Sequence, residues 1–113
     1  HGTLQLLTLD GKYLETIKGY GMPANIDTWK NLMLVPELHA RVTLLNQKNE
    51  VVAQLGDDVE GVVKKKRVNR GNSKTWADGK FVHPHDACFG ANGDIYVAEW
   101  VATGRITKLK RLS

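Results

Sequence analysis

The chain repeats itself, and the repeat restricts it to folds built from similar stacked units. Pro23, Val35-Pro36-Glu37-Leu38 and Arg41-Val42-Thr43 recur as Pro84, Val97-Ala98-Glu99-Trp100 and Arg105-Ile106-Thr107. A partial third copy opens the sequence. Leu4-Gln5-Leu6-Leu7 matches Val42-Thr43-Leu44-Leu45, and Tyr13-Leu14 matches Val51-Val52 without a gap. The first offset is about 38 residues and the second about 61 to 64, so the later one contains an insertion, placed in the basic stretch after Gly56.

The last copy shows the grammar of the unit most plainly. Asp86 to Phe89 is a short apolar run that enters a turn at Ala91-Asn92-Gly93. Asn-Gly between apolar runs is a strong hairpin signal, because both residues tolerate a positive φ. Asp94 to Trp100 returns as a strand rich in Ile, Tyr and Val, and Arg105 to Leu109 alternates polar and apolar residues after Ala102-Thr103-Gly104. Applied to the whole chain, the pattern predicts four segments. Residues 1–18 are the end of one unit, with strands around an Asp10-Gly11 turn. Residues 22–56 are a complete unit, with strands at Asn25–Trp29, Leu32–Val35, Arg41–Leu45 and Val51–Leu55, a loop at Pro36–Ala40, and Asn49 in the left-handed turn position of Gly11. Residues 57–80 are a basic insertion loop, and 81–113 are a last unit of three strands. Repeats of roughly 40 to 50 residues with about four strands each mark a β-propeller. The fold class expected is therefore all-β, a partial propeller of about two and a half blades, forming the C-terminal part of a six-bladed ring. An open arc leaves two blade faces uncovered, so the expected partners are the remaining blades or further copies of the same chain.

With 113 residues the chain is one domain by length. It has no apolar run long enough for a membrane span. It begins at His1, so a segment carrying a secretion signal could precede it, which would place the protein outside the cell or in a periplasm. The single cysteine, Cys88, falls in an apolar strand and reads as a small buried hydrophobe. The net charge of +4 comes largely from Lys64-Lys65-Lys66-Arg67, Arg70 and Lys74. Only Trp76 stands among these cations, so the run reads as a solvated loop and not as a nucleic-acid surface.

Several residues are candidates for chemistry. Glu37 and Glu99 sit at equivalent places beside Arg41 and Arg105, a spacing that suits pairing within each unit or binding at the rim. His83 and His85 flank Pro84, with Asp86 next; imidazole is a good zinc ligand and a carboxylate can orient it. His39 and Trp100 belong to rim loops, where a small molecule or a protein would bind. Trp29, Trp76 and Trp100 either pack between units or line such a surface. No Ser-His-Asp grouping, phosphate loop or cysteine pair stands out.

Pro84-His85-Asp86-Ala87-Cys88-Phe89, Asn92-Gly93-Asp94-Ile95-Tyr96-Val97-Ala98-Glu99-Trp100 and Gly104-Arg105-Ile106-Thr107-Lys108-Leu109 together resemble the NHL repeat. Leu34 to Val42 fits the same pattern more loosely, and Leu4 to Lys12 fits its later part. Within that family the last unit is most similar to the propellers of peptidylglycine α-amidating lyases. The resemblance implies a ligand- or protein-binding propeller or, alternatively, a metal-dependent lyase or hydrolase with zinc or calcium in a central channel. His85 alone matches a family metal position; its counterpart in the complete unit is Ala24, and the family's catalytic arginine and tyrosine have no match here. Glu37 and Glu99 stand where the family usually carries Asp.

Overall fold

The computed structural model describes residues 2–112, and the chain there is all-β. Sheet I is the hairpin of β1 (Thr3–Leu7) and β2 (Tyr13–Lys18). Sheet II runs in chain order through β3 (Asp27–Trp29), β4 (Leu32–Glu37), β5 (Arg41–Leu45) and β6 (Val51–Leu55). Sheet III is β7 (Pro84–Phe89), β8 (Ile95–Glu99) and β9 (Arg105–Leu109). All pairs are antiparallel, and no sheet closes on itself.

The sequence repeat is also a repeat of register. In β1–β2, Leu4 pairs with Ile17, Gln5 with Thr16, Leu6 with Glu15 and Leu7 with Tyr13, with a bulge between Leu6 and Leu7. In β5–β6, Val42 pairs with Leu55, Thr43 with Gln54, Leu44 with Ala53 and Leu45 with Val51, with a bulge at the same step. Sheets II and III agree as closely. Met33–Leu45, Val35–Thr43 and Glu37–Arg41 correspond to Ile95–Leu109, Val97–Thr107 and Glu99–Arg105. Because side chains alternate between faces, each correspondence also fixes which residues share a face.

The core lies between sheets II and III. Leu34 and Val42 from one meet Ala87, Ile95 and Val97 from the other, with Phe81 inserted beside them. Trp29 reaches across, its ring 5.9 Å from Phe89 and its Nε1–H donating to the Ala91 carbonyl at 3.1 Å. This settles Trp29 as an inter-sheet packing residue. Beside it runs an apolar groove of about 640 Å³ that includes Leu44, Val52 and Leu109, with Arg111 over the Trp29 ring at 5.1 Å. Sheet I is tied to sheet II by fewer links: the Tyr20 N–H, donating to the Gly2 carbonyl at 3.0 Å, prolongs the hairpin itself, and Arg41 Nη2 of sheet II donates to the Gly19 carbonyl just beyond β2 at 3.0 Å.

Turn chemistry follows the residues. Gly11 and Asn49 both have positive φ, 91° and 62°, as their alignment requires. Gly93 has φ 88°, and a Cβ there would fall 2.7 Å from the Trp29 ring. Gly93→Ala is therefore expected to destabilise the fold by about 1–3 kcal/mol, through backbone strain and displacement of Trp29, read as a lower chemical-denaturation midpoint.

Some boundaries differ from expectation. Pro36 and Glu37 belong to β4 and not to a loop. Pro36 lies beyond the β3 ladder, where only an isolated bridge between Pro23 and Glu37 continues, so its missing N–H is tolerated. β3 begins at Asp27, and β8 ends at Glu99, one residue before Trp100. β7 begins at Pro84, with a bulge before Asp86. Cys88 is exposed, not buried: Ala87 and Phe89 turn to the core, and the strand period places Cys88 on the opposite face.

The segment between sheets II and III is ordered. It holds a π-helical turn at Glu60–Lys64 and a 3-10 turn at Ser73–Thr75. Val68 packs with Val82 and Val101 in a second small core, with Val62 and Trp76 against it. The basic run is partly neutralised from within. Lys64 and Lys65 lie 3.6 Å from Glu60, and Arg67 lies 3.7 Å from Asp58.

Candidate functional site

The two repeated glutamates are the least accessible acidic groups of the repeat; both side chains are fully buried. Glu37 accepts from Arg41 Nε at 2.9 Å, the Gly21 N–H at 2.6 Å and the Thr43 hydroxyl. Glu99 accepts from Arg105 Nε at 2.6 Å, the Val82 N–H at 2.7 Å and the His83 N–H at 3.1 Å. Each arginine then reaches back to the segment entering its own sheet: Arg41 to Gly19, and Arg105 to the Lys80 carbonyl at 3.0 Å. The hydrogen bond that Arg41 donates to Glu37 holds the Arg41 pKa above its ordinary value. Glu37, Arg41, Glu99 and Arg105, all candidates for ligand contact, thus form two copies of one internal clamp. Their hydrogen bonds are spent on holding the strand that enters each sheet.

Four of the sequence candidates do converge. His85, Asp86, Glu99 and Trp100, with Ala98, line an open cleft of about 350 Å³ at the end of sheet III. Trp100 forms its wall and is 57% exposed. Its N–H donates to the His83 carbonyl at 3.0 Å, which fixes the turn out of β8. The His85 ring meets the indole edge-on at 5.8 Å, and the His83 ring lies 5.6 Å away. Arg70 comes from the connecting segment and stacks its guanidinium over the same indole at 4.2 Å, a cation–π contact. A backbone bond from the Ala102 N–H to the Arg70 carbonyl, 2.9 Å, holds that segment in place. Asp86 accepts from the Ala87 N–H at 2.8 Å and from Asn25 Nδ2, which ties the cleft floor to the entrance of sheet II.

Arg70 joins the cleft without any signal in its local sequence, and His83, a candidate beside His85, adds a second imidazole against the Trp100 indole. Burial holds the His83 pKa below its ordinary value. The Arg70 charge adds to the effect, the Leu38 carbonyl opposes it, and His85 and His39 contribute smaller shifts in the same direction as Arg70. His39 stands in the loop after β4, close enough to Gly21 that a methyl there would lie 2.5 Å from His39 Cβ. The sign of the linkage follows: near neutral pH the unfolded chain takes up protons that the native His83 refuses, so native stability falls as pH drops below about 6.5 toward the lowered native value. Thermal melting from pH 7.5 to 5 is expected to show this loss, and His83→Gln is expected to flatten it. An unchanged slope would contradict the assignment.

Around His85 the described residues do not fit a zinc or calcium site. Among them no group of three or more His, Cys, Asp or Glu side chains is arranged to hold an ion. Glu99 is committed to Arg105, and Trp100 offers no lone pair. No protein-family model matches the chain, and no match appears among curated proteins or solved structures. No helix among the described residues is long and apolar enough to cross a membrane.

Proposed function

We propose that the chain is an arc of an NHL-type β-propeller and serves as a scaffold that binds a small molecule or a protein segment in the cleft at His85, Asp86 and Trp100. The observation that supports it best is the agreement of register between neighbouring sheets: β1–β2 repeats in β5–β6 with its bulge, and β4–β5 repeats in β8–β9. Stacked units of this kind place equivalent loops side by side at one end, and the cleft lies at such an end, at the exit of β8. An exposed indole held by Arg70 gives a preformed aromatic wall, and the two imidazoles and Asp86 give polar groups to orient a ligand. The metal-dependent lyase or hydrolase alternative rests on His85 alone.

The test is NMR with a library of small aromatic and carboxylate fragments, followed on the Trp100 indole and His85 ring signals. Binding confined to these signals and abolished by Trp100→Ala is expected. Fragments that bind elsewhere, or bind the variant equally well, would overturn the assignment. Titration with zinc and with calcium in the same experiment addresses the alternative; tight, stoichiometric shifts at His85 would favour it.

A further inference from the structure

The repeat assigns a partner to one uncovered face. Sheet II buries one of its faces, through Leu34 and Val42, against sheet III. The residues of sheet III that correspond to that face are Tyr96 with Lys108 and Ala98 with Ile106, paired as Leu34 with Leu44 and Pro36 with Val42 are. Among the described residues nothing packs on this face of sheet III. Ile106 is 78% exposed, Tyr96 is 38% exposed, and Ala98 borders a small apolar depression with Cys88.

The opposite kind of face is also left open, at the other end of the chain. Sheet III meets sheet II with the face that carries Val97 opposite Thr107 and Ile95 opposite Leu109. The corresponding face of sheet II carries Thr43 opposite Gln54 and Leu45 opposite Val51. On sheet I it carries Gln5 opposite Thr16 and Leu7 opposite Tyr13. The agreement reaches the side chains, since Thr16 bonds to Gln5 at 3.0 Å just as Gln54 bonds to Thr43 at 3.5 Å. Leu7 and Tyr13 are more than half exposed.

We propose that these two faces belong together in solution: the Tyr96–Ile106 face of one copy packs on the Leu7–Tyr13 face of a second copy, continuing the stacking of sheet II on sheet III. The contact is head-to-tail, so it closes only when the rotation from copy to copy completes a ring. Each copy contributes three sheets, so two copies bring together six and make two identical seams. Sheet I corresponds only to the third and fourth strands of sheet II, so the second copy covers β9 and the near side of β8. Asp86 and Ala98 border both the cleft and the depression on this face. Ile106 and Leu7 do not line the cleft, so substitutions there test the seam apart from the ligand-binding reading.

The test is molar mass by light scattering against concentration on the whole chain, with Ile106→Glu and Leu7→Glu as single variants. Both positions are exposed, so circular dichroism should be unchanged. A dimer is expected, and each variant should weaken association at least tenfold, from either side of the seam. Ile106→Lys combined with Leu7→Glu should recover part of the loss, which a folding defect would not do. A wild-type monomer at all concentrations, a dimer indifferent to both single variants, or growth without limit would each overturn the proposal.

Discussion

Glu37→Ala is expected to cost about 3–5 kcal/mol, as breaking one side of a buried ion pair does. The carboxylate is fully buried and is the common acceptor for Arg41, the Gly21 N–H and the Thr43 hydroxyl. Alanine would leave these donors without a partner in a place water reaches poorly, and the loss exceeds what the pair gives net in the intact protein. The effect is large against the 5–15 kcal/mol that typically holds a domain together. Urea denaturation would measure it. Adding Arg41→Ala to Glu37→Ala should cost less than the sum of the two single changes, since the second removes a charge the first has orphaned. Glu99→Ala and Arg105→Ala should behave alike, because the second clamp also joins its arginine to an entering backbone N–H, with the His83 N–H in place of the Thr43 hydroxyl. Additive losses in either pair would mean that the clamp is not a unit.

Phe81→Ala is expected to cost a similar amount, about 3–5 kcal/mol, by a different route. Phe81 fills the junction of sheets II and III among Leu34, Ala87 and Val97. Its N–H donates to the Gly56 carbonyl at 2.8 Å, so the same residue closes the base of the 57–80 segment. Removing the ring opens a cavity at the centre of the inter-sheet core and loosens the return of that segment. Val52→Ala, at an exposed site on the outer strand of sheet II, is the control and should stay within about 0.5 kcal/mol. A Phe81 variant no weaker than that control would show that the two sheets are not held by this core.

Most of the strand plan could be read in advance because each unit states it twice. An Asn49 that aligns with Gly11 announces a left-handed turn, and Asn92-Gly93 announces a hairpin; both turns are where the residues put them. The Glu–Arg clamp was visible as a glutamate ending one strand and an arginine opening the next, four residues apart in Glu37–Arg41 and six in Glu99–Arg105. That the glutamates are buried and spent on backbone N–H groups was not, because the donors at Gly21, Val82 and His83 lie 16 or 17 residues away and carry no signature of their own. Cys88 was misplaced because an apolar sequence does not say which side of a strand faces the core; its neighbours Ala87 and Phe89 decided it. In the sequence Arg70 is one more cation in a basic run. Its place over Trp100 depends on how a segment without strand or helix periodicity folds back through Val68 and Val101, a contact no local pattern encodes.

The light tethering of sheet I has a consequence for how the molecule breathes. Units that touch only their neighbours along a line lose cooperativity toward the end that is held least. The hairpin can come away by releasing the Arg41 bond to the Gly19 carbonyl while the packed layer between Leu34 and Val97 stays whole. Amide protons of β1 and β2 should therefore exchange through small local openings, and those of β4, β5 and β8 only through global unfolding. A docked second copy would erase that gradient, turning the most labile end of the isolated chain into one of its protected parts.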